Sequence, residues 1–230
     1  EEARGQWISF VDSDDIIVPN ALEVLYQAWG EIPQREQKKY SGIGCHCKDQ
    51  NGNLIGDPWP EEVIVSNDLE MNFRYKISGE KWGPIRTEIL KQYTAPAVKG
   101  HYLSENTIWY QIAEKYKKLY ISDCLRVYEI HEDSVTTGIK VLGYNMESEF
   151  TATQIYINNW YKWYIQYRPL EAIKLPLRLL KYGKYLNRPY LIGKDSCISC
   201  IKNPLGCIIA IVGFPIYFLS KGAQNGNSAN

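Results

Sequence analysis

Asp12-Ser13-Asp14-Asp15 places three carboxylates within four residues. They follow the apolar run Trp7-Ile8-Ser9-Phe10-Val11 and precede Pro19, which opens a helical pattern. An acidic turn between a strand and a helix is a layout that holds a divalent cation at the strand's C-terminal end. In open α/β sheets ligands bind at that edge. Hard cations such as Mg²⁺ take oxygen donors, commonly one or two carboxylates together with substrate phosphates. The chemistry suggested is therefore reaction of a phosphorylated substrate. The plainer alternative is a solvated turn whose Asp residues cap the next helix.

The elements that must position this turn can be read from pattern. Gln6 to Val11 reads as a buried strand. Pro19 to Trp29 reads as a helix with Leu22, Leu25 and Trp29 on one face and Gly30 as its stop. Ser41 to Lys48 and Leu54 to Gly56 read as strands around Asn51-Gly52, a strong hairpin signal. Asp68 to Tyr75 suggests a short helix. Ser104 is an N-cap candidate for a helix to about Lys118, with Ile108, Ile112, Tyr116 and Leu119 on one face. Tyr120 to Ser122 and Leu125 to Ile130 suggest two strands, followed by a loop at His131. Met146 to Tyr167 reads as a long aromatic helix. Leu170 to Leu186 is helical in pattern with an interruption at Pro176. The alternation predicts an α/β fold with a helical C-terminal region.

The 26 basic and 26 acidic residues cancel, but they are unevenly placed. From Tyr161 onward there are 10 Lys/Arg and 2 Asp/Glu, against 16 and 24 before it. Lys174, Arg178 and Lys181 share one helix face, with Ile173, Leu177 and Leu180 beside them. A basic amphipathic helix reads as lying on a membrane surface. Leu205 to Leu219 carries no charge but is shorter than the roughly 20 residues a spanning helix needs, and Pro215 interrupts it. An interfacial or re-entrant anchor is expected there, and Ala223 to Asn230 reads as disordered. The six cysteines lack paired zinc spacing and read as structural thiols in a reducing compartment. Basic residues sit in an apolar tail rather than among exposed stacking aromatics, which argues against nucleic acid. Glu1 to Gly5 reads as the end of a helix, so an upstream part of the domain is expected to be missing from this chain.

Several segments together resemble the family 2 glycosyltransferases. Trp7 to Asp15, with Pro19 and Leu22, looks like that family's nucleotide-sugar motif, and Glu2-Ala3-Arg4-Gly5 like its lead-in. Lys81-Trp82 before Glu88-Ile89-Leu90 is similar to its acceptor-side segment. Tyr102 to Thr107 occupies the place of its Glu-Asp motif. Tyr128-Glu129-Ile130-His131, with Ser134, Val135 and Thr136, is similar to its closing motif. The resemblance covers roughly residues 1–140. It implies an incomplete GT-A (Rossmann-like) mixed sheet over 1–145; charge and pattern add a helical, basic and apolar membrane-associating region over 146–222 and a disordered tail over 223–230.

It also implies an inverting transfer from a nucleotide sugar, a UDP-sugar first, with Mg²⁺ or Mn²⁺. The acceptor would be a glycan or a lipid-linked species in surface polysaccharide synthesis at the cytoplasmic membrane face. In this carry-over Asp14 coordinates the metal, Asp12 faces the ribose or the metal, and His131 contacts the metal or the diphosphate. Asp15, Trp82 and Asn106 fall on the acceptor side, Asp15 alternatively supporting the turn. Where the family has Glu-Asp, this chain has Glu105-Asn106, and Asn cannot accept a proton as a base. Either Glu105 takes that role, or Asn106 binds acceptor while another carboxylate acts, or activity is weak. A truncated, non-catalytic remnant serving as a membrane-docking or interaction module is the alternative function. A phosphatase-like use of Asp12 or Asp14 finds little support in the downstream elements.

Overall fold

A computed structural model describes residues 2–93, 103–129, 146–188 and 197–212. The elements are β1 (Trp7–Ile8), β2 (Ile16–Ile17), α1 (Ala21–Gly30), β3 (Tyr40–Asp49), β4 (Val63–Ser66), β5 (Lys81–Trp82), β6 (Ile85–Arg86), α2 (Thr87–Leu90), α3 (Asn106–Ala113), β7 (Lys117–Tyr128), α4 (Met146–Tyr167) and α5 (Pro169–Tyr185). The chain divides into two units. The first comprises Glu1–Ala95 and Ile108–Leu142, the second Pro96–Thr107 and Gly143–Asn230.

The first unit is an α/β layer around the parallel pair β3 and β7. β3 is buried continuously from Ser41 to Cys47, the signature of a strand covered on both faces. Ile43, Cys45 and Cys47 pack with Leu119, Ile121 and Leu125 of β7 beneath Ala21 and Leu25 of α1. Trp59, Ile64, Met71 and Tyr120 form a smaller cluster. The sheet order is β1-β6-β3-β7-β2, with β4 on β7 and β5 on β3. β1 is antiparallel to β6 and β6 to β3, so β1, β3 and β7 all run the same way. Residues 9–15 then carry the chain from β1 at one edge of the sheet to β2 at the other, arriving beside the C-terminal end of β7. Gly83, at φ +150, lets the β5–β6 turn press against β3, where a Cβ would lie 2.1 Å from the Ile43 carbonyl oxygen.

The second unit packs α4 against α5 through Phe150, Ile157, Tyr161, Leu175, Leu179 and Leu180, closed by Cys197, Ile201 and Ala210. α5 runs through Pro176 rather than stopping there. Proline has no N–H, so the carbonyl of Ala172, four residues earlier, loses its helical donor. The buried Tyr161 hydroxyl supplies one instead, at 2.6 Å. An external donor of this kind is how a helix tolerates an internal proline.

Several expectations need correction. The strand at Gln6–Val11 contracts to Trp7–Ile8. Among the described residues β1 pairs with β6 alone, leaving Phe10 58% and Val11 45% exposed. Glu2 to Arg4 are irregular, not helical. On α1 the buried positions are Ala21 and Leu25, whereas Leu22 is exposed and Gly30 ends inside the helix. The turn at Asn51-Gly52 forms, held by Asp49 accepting from the Asn51 and Asn53 amides, but Leu54 contributes only one bridge, to Lys48. α3 ends at Ala113, and the two strands expected after it are one, β7, with a register shift opposite Cys45 and His46. On α5, Leu180 is fully buried against α4 and does not lie on an exposed apolar stripe. Residues 204–212 are helical. Residues 213–219 and 223–230 lie outside the described residues.

Candidate functional site

The acidic turn is tied down at both ends. On entry, the buried indole of Trp82 donates from Nε1 to the Phe10 carbonyl at 2.8 Å. Within the turn, the Asp15 amide donates to the Asp12 carbonyl at 3.1 Å. On exit, β2 pairs antiparallel with β7, Ile17 opposite Arg126, and the Val18 amide donates to the Leu125 carbonyl. The three carboxylates then separate in environment. Asp12 and Asp14 are exposed. The side chain of Asp15 is 1% exposed and forms an ion pair from Oδ2 to Arg126 Nε at 3.1 Å. Burial raises the Asp15 pKa, Arg126 opposes that rise, and the charges of Asp12 and Asp14 add to it. Arg126 is itself buried and reaches Glu80 Oε1 from Nη2 at 2.8 Å.

The turn, Trp82, Glu80 and Arg126 thus belong to one constellation in the first unit. Trp82 presents no free indole donor, because the Phe10 carbonyl takes it. Glu105 and Asn106 open α3 in the segment grouped with the second unit, and both are exposed. The turn before them is set by Thr107, which donates from its amide and hydroxyl to the Ser104 carbonyl at 3.0 and 2.9 Å. His131 lies outside the described residues.

Arg126 and Glu80 were not singled out from sequence. The available signal was a lone cation in the apolar strand Leu125 to Tyr128. A buried charge requires a partner, but nothing in the local sequence says that Asp15 and Glu80 supply it.

Among the described residues no group of three His, Cys, Asp or Glu side chains could hold a metal ion. The cysteines among them are free, with Cys45, Cys47 and Cys197 buried. Burial pushes the Cys47 thiol up to about 11, which makes it a structural thiol rather than a nucleophile. A cation that takes part of its coordination from a diphosphate needs only one or two protein carboxylates. The two exposed oxygen donors Asp12 and Asp14 fit that kind of ion.

A concavity of about 1070 Å³ lies beside β1, lined by Trp7, Leu22, Tyr26, Trp29, Arg4 and Arg86 among others. Among the described residues no helix is long and apolar enough to cross a membrane.

No family model matches the chain. A search of curated proteins finds similarity to the GalNAc(5)-diNAcBac-PP-undecaprenol beta-1,3-glucosyltransferase of Campylobacter jejuni, 24% identical over 150 residues. The match takes in 64% of this chain and 45% of that enzyme, so the chain spans under half the length of the relative.

Proposed function

We propose that the chain carries the metal-facing and acceptor-facing part of an inverting glycosyltransferase. The reaction moves a sugar from a nucleotide-diphosphate donor, a UDP-sugar first, to a glycan or lipid-linked acceptor in surface polysaccharide synthesis. The fold proposed is GT-A and the family that of the family 2 transferases. The observation that carries this reading is the acidic turn that follows β1 and enters β2 beside the C-terminal end of β7, with Asp12 and Asp14 outward. The similarity to a glucosyltransferase of known acceptor chemistry supports it.

Asp14 would hold Mg²⁺ or Mn²⁺, with Asp12 toward the ribose or the same ion and His131 toward the diphosphate. When bound, such an ion neutralises charge growing on the leaving diphosphate. Glu105 takes the proton from the acceptor hydroxyl. The acceptor oxygen bonds to the anomeric carbon as the bond from that carbon to the diphosphate breaks, and one displacement inverts the centre. Asn106 binds the acceptor. Trp82 and Asp15 serve that side through the backbone they hold in place. The protein is placed at the cytoplasmic face of the membrane, where a lipid-linked acceptor would be met.

The test uses protein expressed from the full reading frame, titrated calorimetrically with UDP and Mn²⁺. Asp14→Ala should abolish metal-dependent UDP binding. Glu105→Gln should leave binding intact and lower turnover by about 10²-fold or more. Absence of metal-dependent nucleotide binding in the unmutated protein would sink the transferase reading. Unchanged turnover in Glu105→Gln would move the base elsewhere.

A second reading, a non-catalytic interaction module, draws on the concavity beside β1. Trp7 of β1 lines it together with Tyr26 and Trp29 of α1. That reading predicts nucleotide-independent function, with Asp14→Ala silent.

A further inference from the structure

We infer that Arg126 is a positioning residue that sets the acidic turn for a cation by drawing Asp15 inward and leaving Asp12 and Asp14 outward; this rests on the cation reading above. Three carboxylates in four residues repel one another, and nothing in their sequence says which should face solvent. The structure decides it with an ion triad. Arg126 Nε meets Asp15 Oδ2 at 3.1 Å and Arg126 Nη2 meets Glu80 Oε1 at 2.8 Å. The side chains of Arg126 and Asp15 are 5% and 1% exposed.

An ion triad is an unusual way to fill such space. Replacing buried ion pairs by apolar residues of similar volume is often neutral or stabilising, so packing alone does not require these charges. The charges fix direction. Asp15 lies at the junction of the turn and β2, and Arg126 stands opposite Ile17 in the β2–β7 ladder. Pulling the Asp15 carboxylate toward β7 therefore sets where the turn ends, just as the Trp82 bond to the Phe10 carbonyl sets where it is entered. Between these two anchors Asp12 and Asp14 are exposed and available as oxygen donors. Lysine would keep the charge but lose the planar fork that reaches Asp15 and Glu80 together.

The experiment compares the full-reading-frame protein with Arg126→Gln, Arg126→Lys and the charge-balanced pair Asp15→Asn/Arg126→Gln. The probe is Mn²⁺ with UDP, followed by electron paramagnetic resonance well below each variant's unfolding temperature, with circular dichroism confirming the fold. Affinity should fall at least tenfold in Arg126→Gln and in the balanced pair, and Arg126→Lys should recover part of it. In metal-free protein, amide hydrogen exchange over residues 12–15 should quicken in the balanced pair while β3 stays protected. A folded balanced pair with native affinity and native exchange overturns the inference and leaves the cation reading standing. An unmutated protein with no Mn²⁺ binding sensitive to Asp14→Ala overturns the cation reading, and the inference falls with it.

Discussion

His46 shows how strongly a single side chain can couple this fold to pH. Its ring is 2% exposed and stacks on Trp59 with centroids 4.0 Å apart. Lys81 Nζ stands 3.3 Å from Nδ1, so the ring is held neutral as an acceptor. Burial first, and the Lys81 charge second, lower its pKa from 6.5 to about 4. Between those values the unfolded chain binds the proton and the folded chain does not, so stability is lost as pH falls from about 6.5 toward 4. The loss reaches up to about 3 kcal/mol at 1.36 kcal/mol per unit. His46→Phe keeps the stack and should flatten this slope in urea unfolding midpoints measured across that range. Trp82→Phe removes one donor and keeps most of the ring. It should cost about 1 kcal/mol and quicken amide exchange near Phe10, with β3 unaffected.

At the scale of elements, the second unit supplies the sharpest test. Tyr161→Phe leaves the Ala172 carbonyl buried without a donor and should cost about 1–3 kcal/mol. Pro176→Ala restores the helical N–H to that carbonyl. In its background the same Tyr161 change should cost much less, and a double-mutant cycle by chemical denaturation measures the coupling. Nothing in the local sequence pairs Tyr161 with Pro176, which explains why the proline read as an interruption. Elements with strong local signals were legible: α1, the Asn51-Gly52 turn, α4 and most of α5. So was the mixed α/β character of the chain. The two-residue strands β5 and β6 were not, because they exist only through pairing with β3 and β1. The acidic turn was visible as a cluster of charge, but its internal order was not. That order depends on Arg126, which lies more than a hundred residues away in the chain.

Across the whole molecule the zero net charge conceals a basic C-terminal portion. In the same portion Leu205, Ile208, Ile211 and Val212 are exposed on the helix over 204–212, as are Leu170 and Ile173 on α5. If the proposed membrane contact is made there, flotation with phosphatidylglycerol vesicles should exceed that with neutral vesicles. It should weaken as salt shortens the Debye length from about 10 Å at 0.1 M toward about 3 Å at 1 M. Removing residues 170–230 should abolish it, and equal flotation without them would rule out this anchor. The parallel β3–β7 pair has a consequence of another kind, in time rather than in space. The Ser41 hydroxyl meets the Lys117 carbonyl across 76 residues of chain, and β4, β5, β6 and α2 all lie inside that loop. Closing so long a loop costs entropy before any contact repays it. A ribosome emitting this chain therefore exposes β3, with Ile43, Cys45 and Cys47 uncovered, until β7 has left the exit tunnel. Until then the nascent first unit is a natural client for chaperones and prone to aggregate.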